Sequence, residues 1–404
     1  MTPIRVEIEA LGWRGHGVAR LGGRRLVVPG TDAGEVVDVE PGEGREPARL
    51  VQVVQASPHR VDPACGQASA CPGCPLRHLD AARQAAVKIG AHRATLARLA
   101  GVKGLPVEVL AGPPADGYRA RARARPVDAG GGTRLGMAGL PGRPGIALAD
   151  CPAQTAGSRA LLARVEAEAP DLESVEVDGD EGGGQVILTG AAAEVARVAR
   201  ALPPAVTVLG VQVGARGPGR PQWIQGPRTG HLVVEGDTLQ VTAPAWRPQS
   251  PASLPALRAA VLDRLDVAGR HILEIGCGIG TLSLPMARRA AGLVGGAGER
   301  AATREAAANA ARAGIAAAGF RVGDGAHAVR RLLAGPARFQ RALLHAMRRP
   351  FGPDLLPRLP LLGVEQALYR PRARRGWPGI SRPGASCGRR GWRCWISCRG
   401  RCTC

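Results

Sequence analysis

The strongest constraint on the fold is a glycine-rich segment in the C-terminal half of the chain. Residues 271–285 have the sequence HILEIGCGIGTLSLP, in which an apolar run leads into three alternating glycines and then a helical pattern. Another helical pattern covers residues 300–313, and a second strand-like run follows at 319–322. This order predicts a βαβ unit in a parallel sheet. For a glycine pattern standing alone, an ordinary tight strand–helix turn is the alternative.

The chemistry of this loop points to a nucleotide-like ligand. Glycines let the backbone approach a bound nucleotide, and the start of a helix offers free N–H groups. The form E-x-G-x-G-x-G is similar to the S-adenosylmethionine loop of class I methyltransferases, more than to a dinucleotide-binding fingerprint. This resemblance implies a set of donor-binding residues: Glu274, Gly276, Gly278, Gly280, Thr281, Glu299 after the next strand, and Asp324 near the adenine.

Composition narrows the class of protein. The 404 residues suffice for two or three domains, and 45% hydrophobic content excludes a disordered chain. No apolar run approaches the roughly 18–20 residues of a membrane span, and the N-terminus lacks a cleavable signal pattern. We therefore expect a cytoplasmic protein. The net charge is +21, but only two of 54 basic residues are lysine, so a GC-rich genome explains much of the arginine content.

Two further regions have patterns of their own. Residues 1–55 alternate in short runs separated by glycines, which predicts a small β-barrel. The segment 75–101 has helical periodicity, and residues 104–236 combine strand-like runs with an alanine-rich helix near 191–202. An amphipathic helix is predicted at 253–268, ahead of the glycine loop.

The ten cysteines fall into unlike groups. Cys65, Cys71 and Cys74 form C-x5-C-x2-C, Cys151 follows alone, Cys277 lies in the glycine loop, and five crowd into the last 18 residues. A cytoplasmic setting argues for metal or cluster ligands over disulfides in the first group. Four thiolates suit zinc or a [4Fe–4S] cluster, and the three-plus-one grouping favours the cluster. Buried cysteines acting as small apolar residues are the alternative.

An alternating arginine segment indicates RNA as a partner. Residues 118–125 have the sequence YRARARAR, so on a strand Arg119, Arg121 and Arg123 share one face. Such a stripe can follow phosphates, and Tyr118 can stack on a base. A solvated strand face is the alternative. Nothing in the sequence indicates a membrane or a protein partner.

Taken in order, these features resemble the RNA uracil-5-methyltransferase family. The branch most similar is the 23S rRNA (uracil-5-)-methyltransferases, which carry a TRAM barrel and an iron–sulfur cluster. The resemblance extends from residue 1 to about 345, and the stretches that carry it are Gly12–Arg20, Val27–Gly30, Gly34–Val36, Cys65–Leu79, Gly117–Arg121, Leu135–Met137, Asp150–Pro152, the glycine loop and Ala308–Ala310.

The resemblance implies a multidomain α/β architecture. Residues 1–58 would form an OB-like TRAM β-barrel, 59–236 a central iron–sulfur α+β domain, and 237–368 a Rossmann-like class I methyltransferase domain. An atypical basic tail, rich in cysteine and tryptophan, follows at 369–404. The cofactors implied are S-adenosylmethionine and a [4Fe–4S] cluster held by the four cysteines Cys65, Cys71, Cys74 and Cys151. The implied substrate is rRNA, with tRNA as a second class.

The family's chemistry needs a nucleophile and a base besides the donor. A cysteine thiolate attacks C6 of uracil, C5 takes the methyl group, and a carboxylate then removes the C5 proton. In this chain the nucleophile position falls near Arg372, and the last acid is Glu365. Cys387 follows a serine, as the family's nucleophile does, but lacks the preceding tyrosine.

Other family motifs are also altered toward the C-terminus. The F-x-Q-x-N segment would fall at 246–250, where the sequence is WRPQS, and the D-P-P-R-x-G segment at 345–350, where it is HAMRRP. The ribose acid is expected near Ala297, with Glu299 two residues on as a substitute. Residues 366–404 contain ten arginines and no acid, which leaves +11 for residues 1–365. We hypothesise that the sequence leaves its ancestral frame, or has decayed, near residues 369–372.

Two functions of different classes follow. The first is a methyltransferase that transfers a methyl group from S-adenosylmethionine to C5 of a uridine in rRNA. The second is a catalytically inactive RNA-binding paralogue that lacks the cysteine nucleophile and the glutamate base. A methyltransferase acting on a nucleophile that needs no thiolate is a third, weaker option. A methyl-transfer assay separates them, and the DNA around codon 369 tests the altered frame.

Overall fold

The computed structural model describes residues 3–12, 15–44, 46–100, 112, 114–169, 172–180, 183–214, 217–242, 249–323, 325–345, 355 and 358–370. Within these ranges no helix combines the length and the apolar character needed to cross a membrane. Two predicted features lie outside the described residues: the adenine-contacting Asp324, and the tail beyond residue 370, which includes the expected nucleophile position near Arg372.

The N-terminal part contains two antiparallel three-stranded sheets around one core. Its strands are β1 (Ile4–Glu7), β2 (Ala10–Leu11), β3 (Gly17–Leu21), β4 (Arg24–Val28), β5 (Val36–Glu40) and β6 (Arg49–Gln55). The sheets have the orders β1-β5-β6 and β2-β3-β4. Alternation along these strands places Val28, Val37 and Val39 in a shared core, where all three are fully buried. The sequence predicts a small β-barrel here, and in the structure its strands form two sheets packed on one core, a unit that we call the barrel.

Two buried carboxylates attach this unit to the segment that follows. Asp32 accepts hydrogen bonds from the Arg83 guanidinium and from the Ser57 hydroxyl, and Glu35 accepts two at 2.6 Å from Arg60. Arg83 lies in the first turn of helix α1 (Ala81–Ala100), where its backbone N–H donates to the Asp80 carboxylate at 2.7 Å. The start of α1 and the barrel are therefore held together by paired charges.

The central part is a mixed sheet covered by helices. Its elements after α1 are β7 (Arg121–Asp128), β8 (Thr133–Met137), β9 (Ile146–Ala147), α2 (Ala156–Glu168), β10 (Ser174–Asp180), β11 (Gly183–Gly190), α3 (Ala192–Ala201), β12 (Val206–Gly214), β13 (Gly217–Pro218) and β14 (Gln222–Gln225). The order is β13-β12-β11-β10-β7-β8-β9, and β14 also pairs with β12. Of these pairs only β11–β12 is parallel. Apolar residues of α2 and α3 pack on this sheet.

The C-terminal part is an antiparallel hairpin followed by a parallel sheet. Its elements are β15 (Thr229–Val234), β16 (Asp237–Thr242), α4 (Leu254–Leu265), β17 (His271–Ile275), α5 (Ser283–Ala287), β18 (Gly292–Ala297), α6 (Arg300–Arg312), β19 (Ala318–Val322), α7 (Gly325–Leu333), β20 (Arg341–His345) and β21 (Gln366–Arg370). The parallel order is β19-β18-β17-β20-β21. The strand order thus reverses between β17 and β20, which is where open parallel sheets bind ligands.

Most helices follow the sequence predictions. The helices expected near 191–202, 253–268 and 300–313 are α3, α4 and α6. The helix expected from residue 75 begins only at Ala81. Residues 65–79 instead form successive turns, since Pro72 and Pro75 lack backbone donors and Asp80 caps the helix.

Candidate donor site and four-cysteine site

The glycine loop follows a strand of a parallel sheet, as the sequence predicts, and it lies at the point where the strand order reverses. Gly276 has φ +91°, and a Cβ there would lie 2.1 Å from the carbonyl oxygen of His345 at the end of β20. Gly280 also has φ +91°, and its Cβ would meet Leu284 at 2.8 Å. Gly278 has φ +56°, and no atom lies within 4 Å of its would-be Cβ. The loop is therefore packed at both ends and open at its middle glycine.

Glu274 places a buried carboxyl group beside this loop. Glu274 is the second-last residue of β17 and is 1% exposed, and the Ser283 hydroxyl donates to its Oε2 atom. The other oxygen, Oε1, is buried and has no hydrogen-bond partner. Burial raises the pKa of Glu274 to about 7, although the Ser283 hydrogen bond opposes this shift. A buried, unpaired carboxyl oxygen at a ligand-binding edge fits the cationic amino group of S-adenosylmethionine.

Asn309, the only asparagine in the chain, holds the loop in place from helix α6. Its amide nitrogen donates to the carbonyl oxygens of Ile279 and Gln240, at 2.9 and 3.1 Å. Its amide oxygen accepts from the backbone N–H of Gln240 at 2.8 Å. One side chain thus ties together the loop, α6 and the hairpin strand β16.

Two more of the predicted donor residues, Glu299 and Thr281, occupy the same edge of the sheet. Glu299 is exposed two residues after β18, which pairs in parallel with β17, and it is the first residue before α6. Thr281 is half-buried, and its carbonyl oxygen accepts from Arg258 at 3.0 Å. The sequence did not identify Ser283, whose hydroxyl contacts Glu274. A hydroxyl nine residues beyond the acid carries no recognisable motif.

Cys277 within the loop is a structural residue. It is 4% exposed, and burial together with the nearby Glu274 raises the pKa of its thiol well above the usual value. Gly295 on β18 leaves room for this side chain, since a Cβ there would lie 3.2 Å from that of Cys277. A protonated, buried thiol is a poor nucleophile.

The four predicted ligand cysteines lie in one neighbourhood. All are half-buried and outside any disulfide. Cys71 lies within electrostatic reach of Cys65 and Cys151, and Cys74 within reach of Cys71 and Cys151. The segment 65–74 is held to the residues before Cys151 by two hydrogen bonds. The backbone N–H of Leu140 donates to the carbonyl oxygen of Ala70, and the Gln67 amide donates to the carbonyl oxygen of Ala147.

The geometry of these cysteines is not that of an assembled metal site. Over the described ranges, no group of three or more His, Cys, Asp or Glu side chains has the arrangement that holds a metal ion. Burial raises the pKa of Cys71, and raises that of Cys74 to about 11. Each would lose its proton on binding a metal.

The arginine stripe differs from its predicted form. The ring of Tyr118 is buried at 6% exposure, with the Arg119 guanidinium 5.8 Å from its centroid, and this conformation does not offer it to a base. Arg121 and Arg123 do share one face of β7, but both pair with Glu176 of the adjacent strand β10, at 3.5 Å. Cross-strand pairing explains this, because Arg123 lies opposite Glu176 in the register. Arg123 keeps 60% of its side chain exposed.

Gln249, in the altered F-x-Q-x-N segment, lies beside this stripe. The carbonyl oxygen of Gln249 accepts from the N–H of Ala120 at 2.9 Å, and so connects the C-terminal part to the central sheet. Trp246, Arg247 and Pro248 lie outside the described residues, as do residues 346–350 of the altered D-P-P-R segment.

The fold and the loop at its reversal point are those of a class I methyltransferase, preceded by a small β unit. The TRAM domain family matches residues 2–40. The chain is 30% identical over 327 residues to the 23S rRNA (uracil(1939)-C(5))-methyltransferase RlmD of Azoarcus sp. (strain BH72). The aligned region covers 76% of this chain and 75% of that protein. The RlmD of Xanthomonas campestris pv. campestris (strain 8004) is 28% identical and covers 91% of this chain and 87% of that protein. This chain belongs to the RNA uracil-C5 methyltransferase family.

A solved structure supports the fold. The tRNA (uracil-54, C5)-methyltransferase of Pyrococcus abyssi, in complex with S-adenosyl-L-homocysteine, matches with a TM-score of 0.65 and 19% identity. The match covers 88% of this chain and 86% of that one. The similarity therefore extends over the barrel, the central sheet and the parallel sheet together.

Proposed function

We propose that this protein binds S-adenosylmethionine at the glycine loop and transfers its methyl group to C5 of a uridine in rRNA. The observation that carries the proposal is the unpaired, buried Glu274 oxygen beside a loop that is open at Gly278, in a chain of this family. Glu274 would take the amino group of the donor. Glu299 and Asp324 would take its ribose and adenine.

Methyl transfer to unmodified rRNA tests this activity directly. Purified full-length protein, labelled donor and rRNA from a strain lacking the modification should give label at uracil C5. Donor binding in the same preparation is measured separately with S-adenosylhomocysteine. If the protein binds neither S-adenosylmethionine nor S-adenosylhomocysteine, the proposal is refuted.

A catalytically inactive RNA-binding paralogue is the second candidate. The observation in its favour is Arg372 at the expected nucleophile position, with no acid after Glu365. It predicts donor binding and RNA binding without label transfer. Resequencing the gene around codon 369 identifies an altered frame, because the original frame would restore a cysteine nucleophile and a downstream acid.

We further propose a [4Fe–4S] cluster on Cys65, Cys71, Cys74 and Cys151. Four free thiols in one neighbourhood, drawn from two separate segments, support this donor set. When bound, the cluster would fix the loop and the Cys151 segment to each other. Iron and sulfide analysis after anaerobic reconstitution tests the proposed cluster. Tightly held zinc with no iron would show that the four cysteines form a zinc site instead.

RNA contact is proposed for the exposed face around Arg123. A second exposed feature, Trp223 at 42% exposure with Arg228 4.5 Å from its ring, has the stacking and charge that single-stranded RNA uses. Affinity for an rRNA fragment should fall steeply with salt and be weakened by Arg123→Gln, while a flat salt dependence would oppose the assignment. With rRNA as substrate, we place the protein in the cytoplasm. The boundary expected at 58 is retained, whereas the β15–β16 hairpin spans the one expected at 236 and strand β21 spans the one expected at 368.

A further inference from the structure

Arg258 is a charged side chain on the buried face of helix α4. It is 2% exposed, and its neighbours on this face are core residues: Leu254, Leu257, Val261 and Leu265. Its Nη2 atom is buried and has no hydrogen-bond partner. A buried arginine is costly, and well-packed apolar residues often replace such a group without loss of stability. A role for Arg258 therefore has to come from its other two nitrogens.

Those two nitrogens join the glycine loop to the β15–β16 hairpin. Nε donates to the carbonyl oxygen of Thr281 at 3.0 Å. Nη1 donates to the carbonyl oxygen of Val234 at 2.8 Å and lies 2.9 Å from Oδ2 of Asp237. Val234 and Asp237 pair with each other across the hairpin turn. One planar guanidinium thus fixes Thr281 relative to both ends of this turn.

The Arg258 hydrogen bond complements the one that Asn309 makes to the same loop. Asn309 holds the carbonyl oxygen of Ile279. Ile279 and Thr281 are the neighbours of Gly280, so side chains from outside the loop hold the carbonyls on both sides of this glycine. Gly280 has φ +91°, and glycine has more backbone freedom than any other residue. Because a peptide is planar, fixing the Thr281 carbonyl also fixes the direction of the N–H that follows it.

Asp237 compensates the buried charge of Arg258 and also pairs with a second arginine. Its Oδ2 atom accepts from Arg288 at 3.1 Å, and Arg288 keeps 46% of its side chain exposed. Asp237 therefore retains a partner when Arg258 is replaced by an apolar residue, and the replacement leaves no isolated charge in the core. What such a replacement removes is the pair of hydrogen bonds to the carbonyl oxygens of Thr281 and Val234.

We propose that Arg258 is a positioning residue of the donor site, because it holds the Thr281 end of the glycine loop in the conformation that binds S-adenosylmethionine. The inference rests on the proposed function. Arg258 acts through the backbone of Thr281 and not by contact with the donor. Without its hydrogen bond the loop has more conformations around Gly280, and binding has to select one of them, so the affinity for the donor falls.

The test compares Arg258→Met with Val261→Ala, a matched control about one turn along the same face of α4. Val261 is 3% exposed in the same core, and its truncation lowers stability without removing a hydrogen bond. Both full-length proteins are titrated with S-adenosylhomocysteine by calorimetry, and their urea midpoints are measured. Arg258→Met should bind about 10-fold more weakly than wild type. Val261→Ala should bind like wild type, although its urea midpoint is lower.

Arg258→Lys separates the charge from the hydrogen bond to the loop. A lysine ammonium can pair with Asp237, but its single nitrogen does not reproduce the fork that spans the turn and the loop. Its affinity should therefore also be lower than that of wild type, although the charge is retained.

Hydrogen exchange gives a readout that a general loss of stability does not produce. In Arg258→Met the loss of protection should be concentrated at residues 280–284, where the N–H of Leu284 donates to the carbonyl oxygen of Gly280. In Val261→Ala any loss should be spread over the core of the C-terminal part, with no excess at the loop.

The outcomes separate this inference from the function on which it rests. If wild type binds neither S-adenosylmethionine nor S-adenosylhomocysteine, the proposed function fails, and this inference fails with it. If wild type binds and both Arg258 variants have its affinity, only the role of Arg258 is refuted. A loss of affinity in Val261→Ala as large as that in Arg258→Met would also overturn the inference, because the loop would then respond to stability alone. Should Arg258→Met not fold, the same comparison with Arg258→Lys decides.

Discussion

At the scale of single residues, Glu274 combines a structural cost with the donor-binding role proposed for it. Its pKa is raised from 4.5 to about 7 because the folded protein buries it. Between these values the folded protein binds a proton that the unfolded chain has released. The contribution of Glu274 to the free energy of unfolding is therefore greatest below pH 4.5 and falls as the pH rises through 7. Above pH 7 the apoprotein holds a buried charge, which a bound cation would stabilise.

Donor binding should consequently weaken in acid. Below its pKa, Glu274 is protonated, and the affinity for S-adenosylhomocysteine should approach a decrease of about tenfold per pH unit. Glu274→Gln should bind weakly at every pH, and its apoprotein should be more stable than wild type at pH 8 by up to about 3 kcal/mol. Calorimetric titrations from pH 6 to 8 measure the affinity, with the exposed Asp263→Asn as control. An unchanged pH dependence in Glu274→Gln would assign the effect to another group.

The loop glycines differ in what a side chain would meet. Gly276→Ala places a methyl group against the His345 carbonyl and should lower the free energy of unfolding by about 3 kcal/mol, with loss of donor binding. Gly278→Ala has a positive φ but open space, and should cost only about 1 kcal/mol. Chemical denaturation of the two variants measures the difference. Equal costs would show that φ alone, and not the contact with β20, requires glycine.

At the scale of elements, Asn309 joins the helix after β18 to the hairpin that precedes the parallel sheet. Its amide mimics a neighbouring strand, since it both donates to and accepts from the backbone of Gln240. A third hydrogen bond fixes the carbonyl oxygen of Ile279 in the glycine loop. The conformation of the donor loop therefore depends on packing between α6 and β16.

Removing this amide should loosen the loop without removing any loop residue. Asn309→Ala leaves buried backbone groups of Gln240 and Ile279 unpaired, and should lower the free energy of unfolding by about 2–4 kcal/mol. Affinity for S-adenosylhomocysteine should fall as well. Hydrogen exchange should locate the added opening in the loop and β16, and protection unchanged at both would contradict the assignment.

Local patterns predicted the elements better than the contacts between them. The glycine loop and its flanking strand were predictable because a βαβ unit is encoded within about 30 contiguous residues. The cysteine spacing identified four residues that lie in one neighbourhood, and their role as ligands stays a prediction. By contrast, the pairing of Arg121 and Arg123 with Glu176 depends on strand β10, about 50 residues away, and the register between those strands is not encoded in either segment alone.

At the scale of the whole molecule, the barrel is held to the rest of the chain by buried charge. Asp32 and Glu35 are 1% and 0% exposed, and their partners Arg83 and Arg60 come from outside the barrel. Burial acts to raise the pKa of each carboxyl, but hydrogen bonds from the arginines and from backbone or serine groups outweigh it, so both pKa values are lowered. The stabilisation is therefore present above the usual pKa of these carboxyls and is lost as the pH falls through the lowered values.

Breaking one of these pairs should release the barrel. Arg83→Met leaves Asp32 as an uncompensated buried charge, and the free energy of unfolding at pH 7 should fall by about 3 kcal/mol or more. Asp32→Asn combined with Arg83→Met should recover much of that loss, because the charge is removed together with its partner. Arg5→Met, which breaks an exposed pair with Asp38 inside the barrel, should change stability little.

Denaturation measures the free energy of unfolding of these variants, and limited proteolysis locates the site of opening. In acid below the lowered pKa of Asp32, the difference between Arg83→Met and wild type should vanish, and its persistence there would show that packing of the Arg83 side chain, and not its charge, holds the barrel in place.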